Sequence, residues 1–166
     1  MKSYALYSAV NTNTRDFRNN ILYNARSNSG SASGNHFALY IVTTAGTLTV
    51  NYNDYTASGT GGILGYYGAN KGALPIVTGQ DGASITTAPG FINPGGTAAT
   101  DYKISVYLLG TVITGITTDY GIITRDVPPG MGAWEKFLKK WKGSISTNFG
   151  TGGNWTDGSF RHPGKM

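Results

Sequence analysis

The side chains here that could move a proton near neutral pH are few: two histidines, seven aspartates and one glutamate. Cysteine is absent. That excludes disulfide scaffolds, thiolate nucleophiles and cysteine-ligated zinc. A Ser-His-Asp relay needs an imidazole oriented by a carboxylate. His36 opens an apolar run after a Gly/Ser loop, and His162 precedes a proline near the chain end. Neither has an orienting carboxylate nearby in sequence, so both read as surface or rim residues. Glycoside hydrolysis needs two carboxylates at a set separation. Asp54, Asp81, Asp119 and Asp157 instead stand singly in turn-like stretches, where aspartate usually bonds its own backbone. Gly59-Thr60-Gly61-Gly62 lacks the Lys-Ser/Thr that completes a phosphate-binding loop. The expectation is a protein that is not an enzyme and takes no cofactor and no metal.

Binding chemistry is better supplied. Eleven tyrosines and three tryptophans offer flat faces for sugar rings. Tyr52, Tyr55, Tyr66, Tyr67, Trp155 and Asn53 are the candidates for a glycan site. The competing reading is ordinary strand packing with the hydroxyl at the surface. Single-stranded nucleic acid would need aromatics interleaved with Lys or Arg on one sheet. The candidate strands carry almost no basic residues beyond Lys103, which disfavours nucleic acid as a partner. Arg15, Arg18 and Arg26 could line one side of an N-terminal helix, or form an ordinary solvated face.

The charge is uneven. Residues 1–131 carry seven basic and six acidic side chains, residues 132–166 six and two. A basic tail seeks phosphate, on nucleic acid or lipid headgroups. Within it, Trp134, Phe137, Leu138 and Trp141 recur at helical spacing, with Lys136, Lys139, Lys140 and Lys142 on the remaining sides. This predicts a short amphipathic helix over 132–143. It would meet a membrane surface or acidic partner, or cover the protein's own sheet. Residues 144–166 read as an extended arm, with Phe149, Trp155, Phe160 and Arg161 as subunit contacts. Asn154-Trp155-Thr156 matches a glycosylation sequon and is taken as chance.

The elements that must position these groups read as strands. Tyr4–Val10, His36–Val42, Thr47–Tyr52 and Gly62–Tyr67 are candidates, with Thr44-Ala45-Gly46 as a hairpin turn between the second and third. Tyr102–Leu109, Thr111–Thr118 and Gly121–Arg125 follow. Ile21–Arg26 could finish a helix that starts near Thr14. No repeat of 20–50 residues is evident, which removes solenoids and propellers. About eight short strands with frequent turn signals predict an all-β body over 1–131, a jelly-roll or β-sandwich-like barrel. No apolar run is long enough to span a bilayer and no signal peptide is read.

Low charge, at 13% of residues, lets many copies pack without mutual repulsion. In size, in strand density from Tyr4 to Arg125 and in the Trp134–Trp141 segment, the chain resembles the small single β-barrel major capsid proteins of tailless icosahedral bacteriophages with an internal membrane. That resemblance implies a self-assembling capsid subunit without catalytic activity, assembled in the host cytoplasm and located in the virion. Its partners would be itself, other virion proteins and a membrane surface. The alternative is a carbohydrate-binding β-sandwich module, a lectin or phage receptor-binding domain.

Overall fold

The computed structural model describes all residues except 44, 137–140, 149–150 and 155–166. Its strands are β1 (Ser3–Ser8), β2 (Arg15–Arg18), β3 (Ile21–Asn24), β4 (His36–Ile41), β5 (Leu48–Asn51), β6 (Asp54–Ala57), β7 (Gly62–Tyr67) and β8 (Ala69–Lys71). No α-helix occurs among the described residues. The described residues form an all-β fold, as the composition predicts.

The pairing differs from a jelly roll, whose strands are antiparallel. β1, β2 and β3 each pair in parallel with β4, β5 and β6, all at an offset of 33 residues. β4 then pairs in parallel with β7 at an offset of 26, and Asp54 bridges Ile85 in parallel. The first half of the chain therefore winds as a coil. Two turns of three strands stack in register, and a third turn is partly formed. The sheets stay open, in the orders β1-β4-β7-β8, β2-β5 and β3-β6.

A repeat of 33 residues therefore exists, contrary to the sequence reading. It is visible as Tyr4-Ala5-Leu6-Tyr7 over Phe37-Ala38-Leu39-Tyr40, and as Asn20 over Asn53. Stacked coils need only inward apolar groups and matching corners, so elsewhere the sequences diverge. The expected hairpin between β4 and β5 is likewise absent. Both strands form, but each pairs with the strand one coil earlier. The predicted helix after Thr14 is replaced by β2 and β3.

The core lies inside the coil. Leu22, Ala38, Leu39, Ile41, Val50, Tyr55, Ile76 and Val77 are buried together. Polar residues fill the corners. Asn53 Oδ1 accepts from the backbone and the side-chain amide of Asn20, both at 3.0 Å. Its Nδ2 reaches the Phe17 carbonyl at 2.7 Å. Asp81 accepts from the Tyr55 hydroxyl, Ser84 Oγ and two backbone amides. Burial, then the Asp81 charge, pushes the Tyr55 hydroxyl well up.

The third turn is finished by side chains standing in for a strand. The Gln80 amide donates to the Leu48 carbonyl and accepts from the Val50 amide, as a paired backbone would. Asn51 Oδ1 accepts from the Ala83 amide. Residues 89–136 then fold as a layer of loops with isolated bridges, Phe91 to Ile104, Leu109 to Gly130 and Thr118 to Thr124. The β-rich runs expected there find no continuous partner strand. Their core is Ile104, Leu108 and Met131, packed on Ile21, Tyr52, Ile85 and Phe91.

Candidate functional site

The coil carries an aromatic plaque on the outside of the β1-β4-β7 sheet. The register skips Ala5, Ala38 and Leu64. In β4, Ala38 and Leu39 are consequently both buried in the core, while Phe37 and Tyr40 meet on the outer side at 4.9 Å between ring centroids. Parallel register then stacks like on like. Tyr7, Tyr40 and Tyr66 form one ladder, with centroids 5.6 and 4.3 Å apart and interplanar angles of 21° and 6°. Tyr4 stacks on Phe37 at 5.9 Å and touches Tyr7 at 5.0 Å. Lys2 Nζ lies 5.9 Å from the Tyr40 ring centroid. Burial first, and neighbouring Tyr66, Tyr4 and Tyr7 next, push the Tyr40 hydroxyl up. Offset and edge-to-face ring pairs add to the stability of the area they bury. The plaque is therefore a rigid, hydroxyl-rimmed apolar surface. At its β1 margin Tyr4 and Tyr7 remain 37% and 53% exposed.

A cleft of about 530 Å³ separates the β2–β3 corner from the loop layer. Phe91, Tyr102 and Trp134 line it with Arg18, Asn20 and Arg125. Arg125 ties the layer together. It donates to Glu135 Oε2 at 2.9 Å and to the carbonyls of Gly130 and Gly132 at 3.1 and 2.8 Å. Glu135 Oε1 accepts from the Gly130 amide at 2.8 Å. Asp119 accepts from the amides of Glu135 and Ile123, both at 2.9 Å. Burial alone would raise its carboxyl, but these amides and the Arg125 charge outweigh burial and hold it low. Trp134 is pinned by its indole N–H on the Ala99 carbonyl at 3.0 Å and by Lys103 Nζ at 4.5 Å from its ring. No carboxylate and no imidazole lines the cleft among the described residues, and no group of three or more metal-ligating side chains occurs among them.

The expected sites fare unevenly. His36 is a buried structural residue rather than a rim residue, only 2% exposed. Asn28 spends its Nδ2 on the Gly34 carbonyl, so its Oδ1 accepts and His36 Nε2 donates to it at 3.1 Å. His36 Nδ1 then accepts from Ser3 Oγ at 2.9 Å, a tautomer assigned from the network. Tyr55 and Asn53 are wholly buried and offer nothing to a glycan. Tyr66 belongs to the plaque, Tyr67 packs against the core, and Tyr52 packs under the loop layer.

The helix expected over 132–143 does not begin where the spacing places it. Trp134, Glu135 and Lys136 are non-helical, because Trp134 is pinned to Ala99 and Glu135 turns back to Arg125. Trp141 and Lys142 are exposed outside any helix, while Phe137, Leu138, Lys139 and Lys140 lie outside the described residues. So do His162 and the proposed arm contacts Phe149, Trp155, Phe160 and Arg161. The start of that arm is folded back rather than extended. Asn154 is fully buried, accepting from Ile145 and Ser146 amides and donating to the Ser146 and Asn148 carbonyls.

The plaque residues Tyr4, Tyr7, Phe37 and Tyr40, and the cleft residues Phe91 and Tyr102, were not singled out from sequence. The repeated Ala-Leu-Tyr was the signal that could have found the plaque. Comparison with protein-family models, curated proteins and solved structures finds no match to this chain.

Proposed function

We propose that this chain is a self-assembling structural subunit whose aromatic plaque is an interface between copies, in keeping with the capsid-like style of its sequence. The observation that carries the reading is the exposed β1 margin of an otherwise tightly stacked ring cluster, Tyr4 and Tyr7. Rigid aromatics at a surface are characteristic anchors of protein interfaces, since they bring large area at little conformational cost. The low charge of the chain suits close packing of many copies. The test is light scattering after size exclusion, over a range of concentrations and at two salt levels. Mass that rises with concentration supports the reading, and an association that withstands salt fits an apolar contact. A strict monomer at every concentration sinks it.

One observation favours glycan binding as a second reading. Phe91, Tyr102 and Trp134 surround a single cleft beside Arg18 and Asn20. Aromatic faces with planar polar side chains at the rim suit a sugar ring. Saturable binding in a glycan screen, abolished by Trp134→Ala in a folded protein, would move this reading to first place.

A further inference from the structure

The stacked coils expose strand edges at both ends, and those at the β7 end are closed. β7 is covered by β8, which is only three residues long and carries Lys71. A short, charged edge of that kind resists further pairing. β5 is capped by the Gln80 amide, and β6 by the Ile85 backbone. At the β2–β3 corner, the Gly132 amide donates to the Asn19 carbonyl and Asn19 also holds Thr111. β1 is different. It runs six residues, and on the side away from β4 no described strand pairs with it. Its free backbone groups are a ready template for another strand.

The sequence of that edge is palindromic in character. Ser3-Tyr4-Ala5-Leu6-Tyr7-Ser8 reads as Ser-Tyr-small/apolar in both directions about the midpoint between Ala5 and Leu6. A two-fold contact needs such self-complementarity, because the same patch must serve both partners. We infer that β1 pairs antiparallel with β1 of a second copy of this chain, Tyr4 of one opposite Tyr7 of the other. This inference rests on the self-assembly reading and names its surface. Serine then faces serine, Ala5 faces Leu6, and each plaque runs into its counterpart across the axis. The β1-β4-β7-β8 sheet doubles to eight strands, with a blunted β8 at each outer edge. Growth stops at the pair on this surface, since neither outer edge accepts another strand.

The test uses the full chain and charge reversal. The variant Tyr4→Glu/Tyr7→Glu places like charges opposite each other across the pair, and Tyr4→Lys/Tyr7→Lys does the same with the other sign. Each alone is expected to dissociate at least tenfold more readily than the wild type. An equimolar mixture of the two is expected to re-form a mixed dimer. The chain has no cysteine, so a second measurement is clean: Tyr4→Cys mixed with Tyr7→Cys is expected to form a disulfide-linked dimer under mild oxidation, while Tyr4→Cys alone does not. This arm still reads the register should the charged variants fail to fold. A wild type that is monomeric throughout sinks the self-assembly reading and this inference with it. A wild type that assembles, with folded charge variants that assemble equally and cysteines that link without regard to register, overturns only the β1 pairing.

Discussion

Asp54 gives the sharpest test of how the coil interior treats charge. It opens β6 with no solvent exposure. Its Oδ1 accepts from the Thr87 amide at 2.9 Å, and its Oδ2 has no partner among the described residues. Burial raises its pKa from 3.8 to about 6, and the Thr87 bond only partly opposes that. The folded carboxyl thus holds its proton more tightly than the unfolded one. The contribution to stability is complete below the unfolded value. It declines as pH rises through the window between the two and is gone above about 6. A shift of about two pH units corresponds to roughly 3 kcal/mol at about 1.4 kcal/mol per unit.

Asp54→Asn removes the titration. The amide oxygen can still accept from Thr87, while the new NH₂ group replaces the unpartnered oxygen at a cost that does not vary with pH. The assay is urea unfolding of both proteins at pH steps from about 4 to about 7.5, with the m-value followed to confirm the same two-state transition. The wild type is expected to lose roughly 2.4 kcal/mol relative to the variant across that range, since at about pH 4 the unfolded carboxyl is already more than half ionised. Parallel curves for the two proteins would refute the reasoning, because they would mean that Asp54 binds its proton equally in both states.

Two further substitutions probe packing in the coil and the tie across the loop layer. A Cβ on Gly65 would lie 2.6–2.9 Å from three side-chain atoms of buried Ile76, so Gly65→Ala is expected to cost about 1–3 kcal/mol by overpacking. Ile76→Ala in the same chain should relieve that clash, and additive costs in a double-mutant cycle would contradict the expected coupling. Arg125→Ala leaves the Glu135 carboxylate, wholly enclosed, without its cation, at an expected cost of about 3–5 kcal/mol. Arg125→Lys should not rescue, since an ammonium cannot span Glu135 and the Gly130 and Gly132 carbonyls at once. Wild-type resistance to limited proteolysis of residues 118–136 in Arg125→Lys would overturn that role.

Strand positions were largely legible from sequence and their partners were not. The apolar runs that became β1, β4, β5 and β7 announce extended structure, because alternation and β-branched residues act within one strand. Pairing acts between residues far apart, and a short Gly-containing link such as 42–47 suits a hairpin and a coil corner equally. Ala-Leu-Tyr at 5–7 and 38–40 was the one local sign that β4 stacks on β1. The 102–125 segment shows the opposite error. Its β-branched residues have strand propensity, but propensity reflects fit to a neighbouring strand, and the loop layer supplies only isolated bridges. His36 and Asp54 misled for a related reason: turn-like or loop-flanked positions read as surface, yet coil corners point polar side chains inward, where His36 finds two partners and Asp54 only one.

The plaque and the open edge follow from one constraint. A single coil cannot bury its apolar face alone, and stacking supplies the missing surface. Only two full turns stack here, so each end of a short solenoid must be closed by something else. At the β7 end the chain does this itself, with β8, the Gln80 amide and Ile85. At the β1 end the loop layer meets Asn19 between β2 and β3, and no described strand lies on the outer side of β1, the strand richest in exposed tyrosine. A lysine or proline within Ser3–Ser8 would blunt that margin, as Lys71 does on β8, and neither occurs there; Lys2 stands just before it, over the Tyr40 ring. Ser3-Tyr4-Ala5-Leu6-Tyr7-Ser8 instead joins free backbone groups to ring faces already aligned by the coils beneath, so a second copy would meet a preorganised surface and lose little conformational freedom in docking.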